Sequence, residues 1–265
     1  EQAQSWRKIG INRLSLGTQS FNADYLKHLG RNHTAQQSTE AILTIKNAGI
    51  ENITIDLMYE LPYQTFSMWE ETVKQALTLP ITHLSLYNLI FEPHTLFHKK
   101  EKILRKHLPS EEEGCKMLEF ACKKFEDHGL KRYEISAFGT PSIHNSGYWS
   151  GREFLGLGPS ACSYIKRKRF QNVCNLSKYV KLLNEGKSPV HFEEKLSPIH
   201  SLHEKLAIGL RLTEGISLPQ IPKSTTHILN NLEKEDFLSF SGTKIKLTKK
   251  GRLFYDTVAE ALILT

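Results

Sequence analysis

The sequence predicts an α/β protein that carries a small helix-and-hairpin module at its C-terminal end. Three observations support this. Strand-like and helix-like segments alternate from Ile11 to about Ser136, the rhythm of a parallel sheet with crossover helices. A loop-like stretch rich in Gly, Ser, Pro and aromatic residues follows, from Ala137 to about Ser163. After a linker-like stretch at Lys187–Pro198, the tail reads as two helices, a hairpin and a last helix, the order of a winged-helix-like module.

Each element has its own signal. Gln2–Gly10 reads as the end of a helix, Arg13–Gln19 as a short strand and Asn22–Leu29 as a helix. Thr34 with Gln37 resembles a capping box, followed by Ala41, Ile42, Ile45 and Ala48 at helical spacing until Gly49 stops the helix. Asn52–Tyr59 is a β-branched strand ended by Leu61-Pro62, and Thr65 opens a helix carrying Trp69, Val73, Ala76 and Leu77. His83–Ile90 reads as another strand. Ser110 with Glu113 caps a long helix with the stripe Cys115, Leu118, Cys122 and Phe125, and Arg132–Ser136 reads as a fourth strand. The pattern fits an open doubly wound sheet or part of a (β/α) barrel. In the tail, His203–Leu212 and Thr225–Glu233 read as helices, Leu238–Leu247 as a hairpin turning at Ser241-Gly242, and Thr248–Leu264 as a helix.

Composition narrows the classes. A chain of 265 residues with 39% hydrophobic and 24% charged residues can bury one large core or a core plus an appended domain. No apolar run approaches the roughly 18–20 residues that a membrane span requires. The formal net charge of +7 suits an anionic partner without demanding one. Four cysteines, none in a CxxC pair, indicate neither a disulfide scaffold nor a zinc knuckle. With no signal-like apolar region the expected compartment is the cytoplasm, and the start at Glu1 instead of Met raises the expectation of a truncated chain.

Sites on parallel sheets lie at the C-terminal ends of strands. That places Gln19, then Asp56, Tyr59 and Glu60, then Asn88, Ile90 and Glu92 on one rim, with Arg31 in the loop after the first helix. Amide, carboxylate and guanidinium together suit a zwitterionic or ribose-bearing ligand. A buried Asp56–Arg31 structural pair explains the same spacing equally well. Gly156-Leu-Gly158-Pro-Ser lacks the spacing of a dinucleotide fingerprint and reads as a tight loop. In HNSGYW, His144 stands beside Asn145, Tyr148 and Trp149 in a loop, an imidazole with two flat faces suited to a planar ligand or a metal-centred ring; an exposed loop histidine is the commoner case.

Seven blocks together carry a family resemblance. They are NRLSLGTQSFN at 12–22, GRNHT at 30–34, NITIDLMYELPYQT at 52–65, HLSLYNLIFEPHTLF at 83–97, RYEISAF at 132–138, HNSGYW at 144–149 and FLGLGPSACSY at 154–164. In unbroken order through nearly the whole chain, they resemble the oxygen-independent coproporphyrinogen oxidase-like branch of the radical SAM proteins. The HNxxYW block is similar to the heme-chaperone members of that branch.

The resemblance implies an N-terminally truncated partial (β/α)6 barrel over 1–186 with the HNxxYW loop, a linker over 187–200 and a winged-helix-like C-terminal domain over 201–265. By motif position it implies Gln19, Arg31, Asp56 and Ile90 as contacts to S-adenosylmethionine (SAM). It also implies His144, Asn145, Tyr148 and Trp149 as heme-binding residues, with His144 a candidate iron ligand. The family's CxxxCxxC, which holds a [4Fe–4S] cluster with one iron open for SAM, is absent from this sequence. No radical chemistry is therefore expected of these residues alone. The leading expectation is a heme chaperone passing heme to an unknown acceptor protein. The alternative is the oxidase that decarboxylates coproporphyrinogen III. A DNA-binding winged helix, suggested by Lys244, Lys246, Lys249, Lys250 and Arg252, is set aside because most of the chain is α/β, so no nucleic acid is expected; peripheral membrane contact stays open.

Overall fold

The computed structural model describes residues 1–93, 95–218 and 221–263. Leu264, the expected end of the last helix, and His94 of the fourth motif block lie outside the described residues. The chain packs into two compact units, Glu1–Pro141 and Ser142–Thr265.

The first unit runs α1 (Gln2–Lys8), β1 (Arg13–Gln19), α2 (Ala23–His28), α3 (Ala35–Asn47), β2 (Asn52–Tyr59), α4 (Phe66–Leu77), β3 (His83–Asn88), α5 (Leu96–Lys99), α6 (Glu101–Leu104), a 3-10 turn (Arg105–His107), α7 (Glu111–Asp127) and β4 (Ala137–Gly139). The sheet order is β1-β2-β3-β4. β1, β2 and β3 are parallel, with Thr54 beside His83 and Asp56 beside Ser85. The expected capping boxes form at Thr34/Gln37 and Ser110/Glu113, satisfying amides that a helix start otherwise leaves free.

Alternation gives this sheet two different faces. Ile53, Ile55 and Leu57 of β2 and Leu84 and Leu86 of β3 face one core with Ile42 and Ile45 of α3, Trp69, Val73 and Ala76 of α4, and Met117, Ala121 and Phe125 of α7. The indole N–H of Trp69 donates to the carbonyl of Met117 at 2.8 Å, tying α4 to α7 across that core. The opposite face carries Arg13, Ser15, Thr54, Asp56, His83 and Ser85.

Two expectations for this unit are corrected. The fourth strand is Ala137–Gly139 and runs antiparallel to β3. Residues 131–139 fold back on themselves, because the Arg132 guanidinium binds the carbonyls of Glu134 and Ile135, and Ser136 N–H donates to the Glu134 carboxylate at 3.0 Å. The buried stripe of α7 is Gly114, Met117, Ala121 and Phe125; Cys115 and Cys122 flank it, half-buried.

The second unit runs α8 (Ile143–Trp149), β5 (Cys162–Ile165), β6 (Lys168–Asn172), α9 (Leu176–Asn184), β7 (Val190–Lys195), α10 (Pro198–Gly209), β8 (Ile216–Ser217), α11 (Lys223–Lys234), β9 (Leu238–Ser241), β10 (Lys244–Leu247), α12 (Lys249–Leu253) and α13 (Tyr255–Ile263). The hairpin expected at Ser241-Gly242 is present, and β8 adds a third strand to it, in the order β8-β10-β9. The expected last helix is two helices, broken at Phe254.

A second antiparallel sheet, β5-β6-β7, forms where the sequence gives no strand signal: β5 starts at the end of the loop-like stretch, β6 follows it and β7 lies in the linker-like one. Its β5–β6 turn is Lys166-Arg167, both with positive φ (50° and 63°), a geometry usually marked by Asn-Gly. Lys187–Pro198 holds β7, whose Glu193 and Glu194 pair with Lys168 and Arg169 of β6 at 2.6 and 2.7 Å. Those charges gave the segment its linker-like composition. In the Gly156-Leu-Gly158 loop a Cβ on residue 156 would lie 2.1 Å from the Cys162 carbonyl oxygen, and Gly158 has φ +102°, so the tight loop requires both glycines.

Replacing Trp69 by Phe should cost about 2 kcal/mol in a denaturant titration, from the lost hydrogen bond and the void beside α7; an unchanged midpoint would contradict this role. His83 is 1% exposed, and burial, aided by the nearby Arg13 charge, lowers its pKa from 6.5 to about 4. The unfolded chain therefore binds a proton in that interval that the folded chain refuses, and stability should fall as pH drops from 6.5 towards 4. Denaturation midpoints of wild type and His83→Gln should converge over this range, whereas parallel pH curves would refute the assignment.

Candidate functional site

The first candidate site is the polar face of the parallel sheet. Asp56 sits mid-strand on β2, half-buried, with Ser85 of β3 and Ser15 of β1 hydrogen-bonded to its carboxylate. Burial raises its pKa above the usual carboxylate range, opposed by those two serines and by the Arg13 charge. One strand end further on, Glu60 is also raised by burial, against a hydrogen bond from Asn88. Its backbone lies in the left-handed region (φ 56°), and its carboxylate occupies the space a side chain at Gly114 would take. Nearer the start of the strands, Arg13 donates to Thr54 at 2.9 Å, and His83 Nε2 lies 2.9 Å from the Tyr133 hydroxyl.

The expected rim residues are not all alike. Gln19 ends β1 at a register shift with φ 64°, buried, its amide turned back over Gly17. Arg31 is exposed, and the partners of Asp56 are Ser15, Ser85 and Arg13, so the alternative of a buried Asp56–Arg31 pair is not what forms. Ile90 is 64% exposed. Tyr59 leaves the rim: its ring packs 5.8 Å from Trp69 at the edge of the apolar core, where burial raises its pKa. Ser15 and Ser85, which hold Asp56, escaped the sequence reading. Their signal was the two-residue alternation of polar positions on neighbouring strands.

The second candidate site lies wholly in the second unit. HNSGYW is helical instead of a loop, because Ser142 caps it by accepting from Asn145 N–H at 3.3 Å. His144 and Asn145 are exposed, and Tyr148 and Trp149 are half-buried. His144 Nε2 lies 2.9 Å from the Tyr148 hydroxyl, and the Tyr148 ring meets Phe154 edge-on at 4.7 Å. Arg211 lies 4.5 Å above the Trp149 ring, whose buried Nε1 has no hydrogen-bond partner among the described residues. Tyr148 and Trp149 line a cavity of about 510 Å³ bounded by α8, α10 and the β5-β6-β7 sheet, a volume in the small-molecule range. His144 and Asn145 are not in its lining.

Other chemistry is constrained. Among the described residues no group of three or more His, Cys, Asp or Glu could hold a metal ion. The residues present therefore do not fit an iron–sulfur cluster. No helix of the described residues is long and apolar enough to cross a membrane. In the tail hairpin, Lys244 and Lys246 pair with Glu214, and Lys250 donates to the Glu235 carbonyl, so those charges are engaged within the chain.

Residues 1–76 match the family model of the radical SAM superfamily, and residues 196–254 match that of the HemN C-terminal domain. The fold is that of the coproporphyrinogen III oxidase HemN from Escherichia coli, with a TM-score of 0.81 at 22% identity over 98% of this chain and 66% of that one. Heme chaperone HemW of Bacillus subtilis is 32% identical over 99% of this chain and 72% of its own length. The HemW proteins of Lactococcus lactis and Synechocystis are 34% and 35% identical over 92% and 90% of this chain. The chain belongs to the HemW family. It spans 64% and 58% of the latter two proteins.

Asp56 is destabilised as an anion by its surroundings, which is common for residues kept for function rather than stability. Asp56→Asn should raise the denaturation midpoint at pH 7, and the gain should shrink as pH falls towards the carboxylate range and wild-type Asp56 takes up its proton. A lowered midpoint at pH 7 would show that the structure favours the charged form.

Proposed function

We propose that this chain contains the heme-binding part of a heme chaperone of the HemW family, which holds heme and passes it to an acceptor protein. The observation that carries the reading is the HNSGYW helix. It presents an exposed imidazole, hydrogen-bonded to Tyr148, whose ring in turn borders an aromatic cavity. An exposed histidine beside flat apolar surface fits heme, which needs a nitrogen donor for iron and an apolar bed for the ring. His144 is the proposed iron ligand. Asn145, Tyr148 and Trp149 shape its surroundings, with Tyr148 fixing the imidazole through its hydroxyl.

Gln19, Arg31, Asp56 and Ile90 are the proposed SAM contacts: Gln19 at the end of β1, Asp56 mid-strand on β2, and Arg31 and Ile90 in the loops after α2 and β3. Bound SAM would supply its sulfonium chemistry there; the amide of Gln19 and the carboxylate of Asp56 would bind and orient its polar groups. Cluster ligands are not among these residues, so no step is assigned to a cluster. The proposed compartment is the cytoplasm. The oxidase reading has less support: the likeness to HemN is one of fold, while the similarity at the level of sequence lies with the chaperones.

Hemin titrated into the protein and followed by absorbance should bind saturably at one site. His144→Ala should weaken binding about tenfold or move the Soret band. Identical affinity and an identical spectrum in the variant would remove His144 from the site, and absence of saturable binding by the wild type would overturn the chaperone reading.

A further inference from the structure

The cavity of the second unit has a composition that HNSGYW alone does not explain. Its apolar walls come from Trp149, Phe154, Tyr164, Phe170, Phe192 and Ile208, contributed by both helices, both outer strands and the strand between them. Phe192 is 49% exposed on β7, a large ring left open to solvent at the cavity wall. Flat rings on several sides suit a flat conjugated ligand better than a flexible chain.

The charges at the cavity are sorted. Its two carboxylates, Glu194 and Glu204, are both held by Arg169, at 2.7 and 3.0 Å. Two lining cations, Arg152 and Lys205, have no ion pair among the described residues. The Arg152 guanidinium packs onto the backbone of α8 at Gly147, where a Cβ would lie 2.3 Å from it, and the Lys205 stem runs past Gly151, 3.7 Å from where a Cβ would stand. Both residues are exposed. Gly147 makes room for the Arg152 guanidinium, and both unpaired cations line the aromatic cavity.

The geometry points to this cavity as the seat of a tetrapyrrole ring, with Arg152 and Lys205 binding its two carboxylates. The inference deepens the proposed heme function and rests on it. Beyond Trp149 of the HNSGYW motif, it names the residues that hold the ring, Phe154, Tyr164, Phe170, Phe192 and Ile208, and the two cations that select a dicarboxylate. An apolar ring between aromatic walls leaves its carboxylates at the solvent edge, where an arginine and a lysine can pair with them. A fatty acid has one carboxylate and no flat face, and leaves half of this arrangement unused.

Cys162 supplies a reporter, because its exposed thiol lines the cavity whereas the exposed Cys174 does not. Iron-free protoporphyrin IX separates the cavity from iron ligation, since it needs no histidine. Bound to the full chain, it should protect Cys162 from alkylation and leave Cys174 reactive, as should hemin. The variant Arg152→Glu/Lys205→Glu, which changes only exposed side chains, should bind protoporphyrin IX about tenfold more weakly. Its dimethyl ester, the same ring with neutral carboxyl groups, should bind wild type and variant alike. Saturable hemin or porphyrin binding with Cys162 unprotected, or unaffected by the double charge reversal, overturns the cavity while leaving the chaperone reading intact. Failure of every porphyrin to bind the wild type overturns both, and tighter binding of a fatty acid than of protoporphyrin IX overturns the assigned ligand class.

Discussion

The structure of the first unit depends on one constraint: β2 is a central strand that must satisfy two unlike faces. Its Ile53, Ile55 and Leu57 are locked under α3, α4 and α7, and the alternating positions Thr54 and Asp56 consequently face the other way. A slip of one residue would bury Asp56 in the apolar core and expose the isoleucines, so the register is fixed by the core. Asp56 must then be accommodated where it falls, and the flanking strands supply Ser15 and Ser85 for that purpose. The same constraint places His83 beside Thr54, held neutral near Arg13 and within reach of Tyr133. Polar chemistry on this sheet is a consequence of how firmly its other face is packed.

The second unit solves a different problem. Three short strands whose only buried residues are Ser163 and Asn172 cannot form a core by themselves, and β6 and β7 are held partly by cross-strand ion pairs, each worth little when exposed. Such a sheet serves better as a wall than as a core. It presents Phe170 and Phe192 to the cavity while its charges face solvent or pair with each other. The HNSGYW helix adds Tyr148 and Trp149 to the opposite wall.

How far the sequence could be read follows from where its signals are local. β1 and β2 have the bounds their hydrophobic patterns indicate, and both capping boxes were visible three residues apart. Gln19 ends β1 as its pattern indicates, whereas Asp56, expected at the end of β2, lies mid-strand. The β5–β6 hairpin was not, since Lys166-Arg167 adopts a turn that its composition does not announce. β4 was misplaced because Arg132 binds the carbonyls of its own neighbours and turns the chain, a long-side-chain effect with no periodicity. The stripe expected for α7 shares Phe125 with the buried one but is otherwise one residue out of phase, because Gly114 and Ala121 are small and Cys115 and Cys122 look equally suited to a core. The cavity could not be read at all: residues 149, 170, 192 and 208 meet only through the tertiary fold.

The proposed binding of a metal-centred ring at the HNSGYW helix of the second unit can be seen directly. It is tested most directly by crystals of the full chain grown with hemin, using anomalous scattering at the iron edge to locate the iron. One strong peak should lie within bonding distance of the His144 imidazole, with the ring against the aromatic walls behind Tyr148. A peak over the polar face of the first unit's sheet, or one distant from His144, would contradict it.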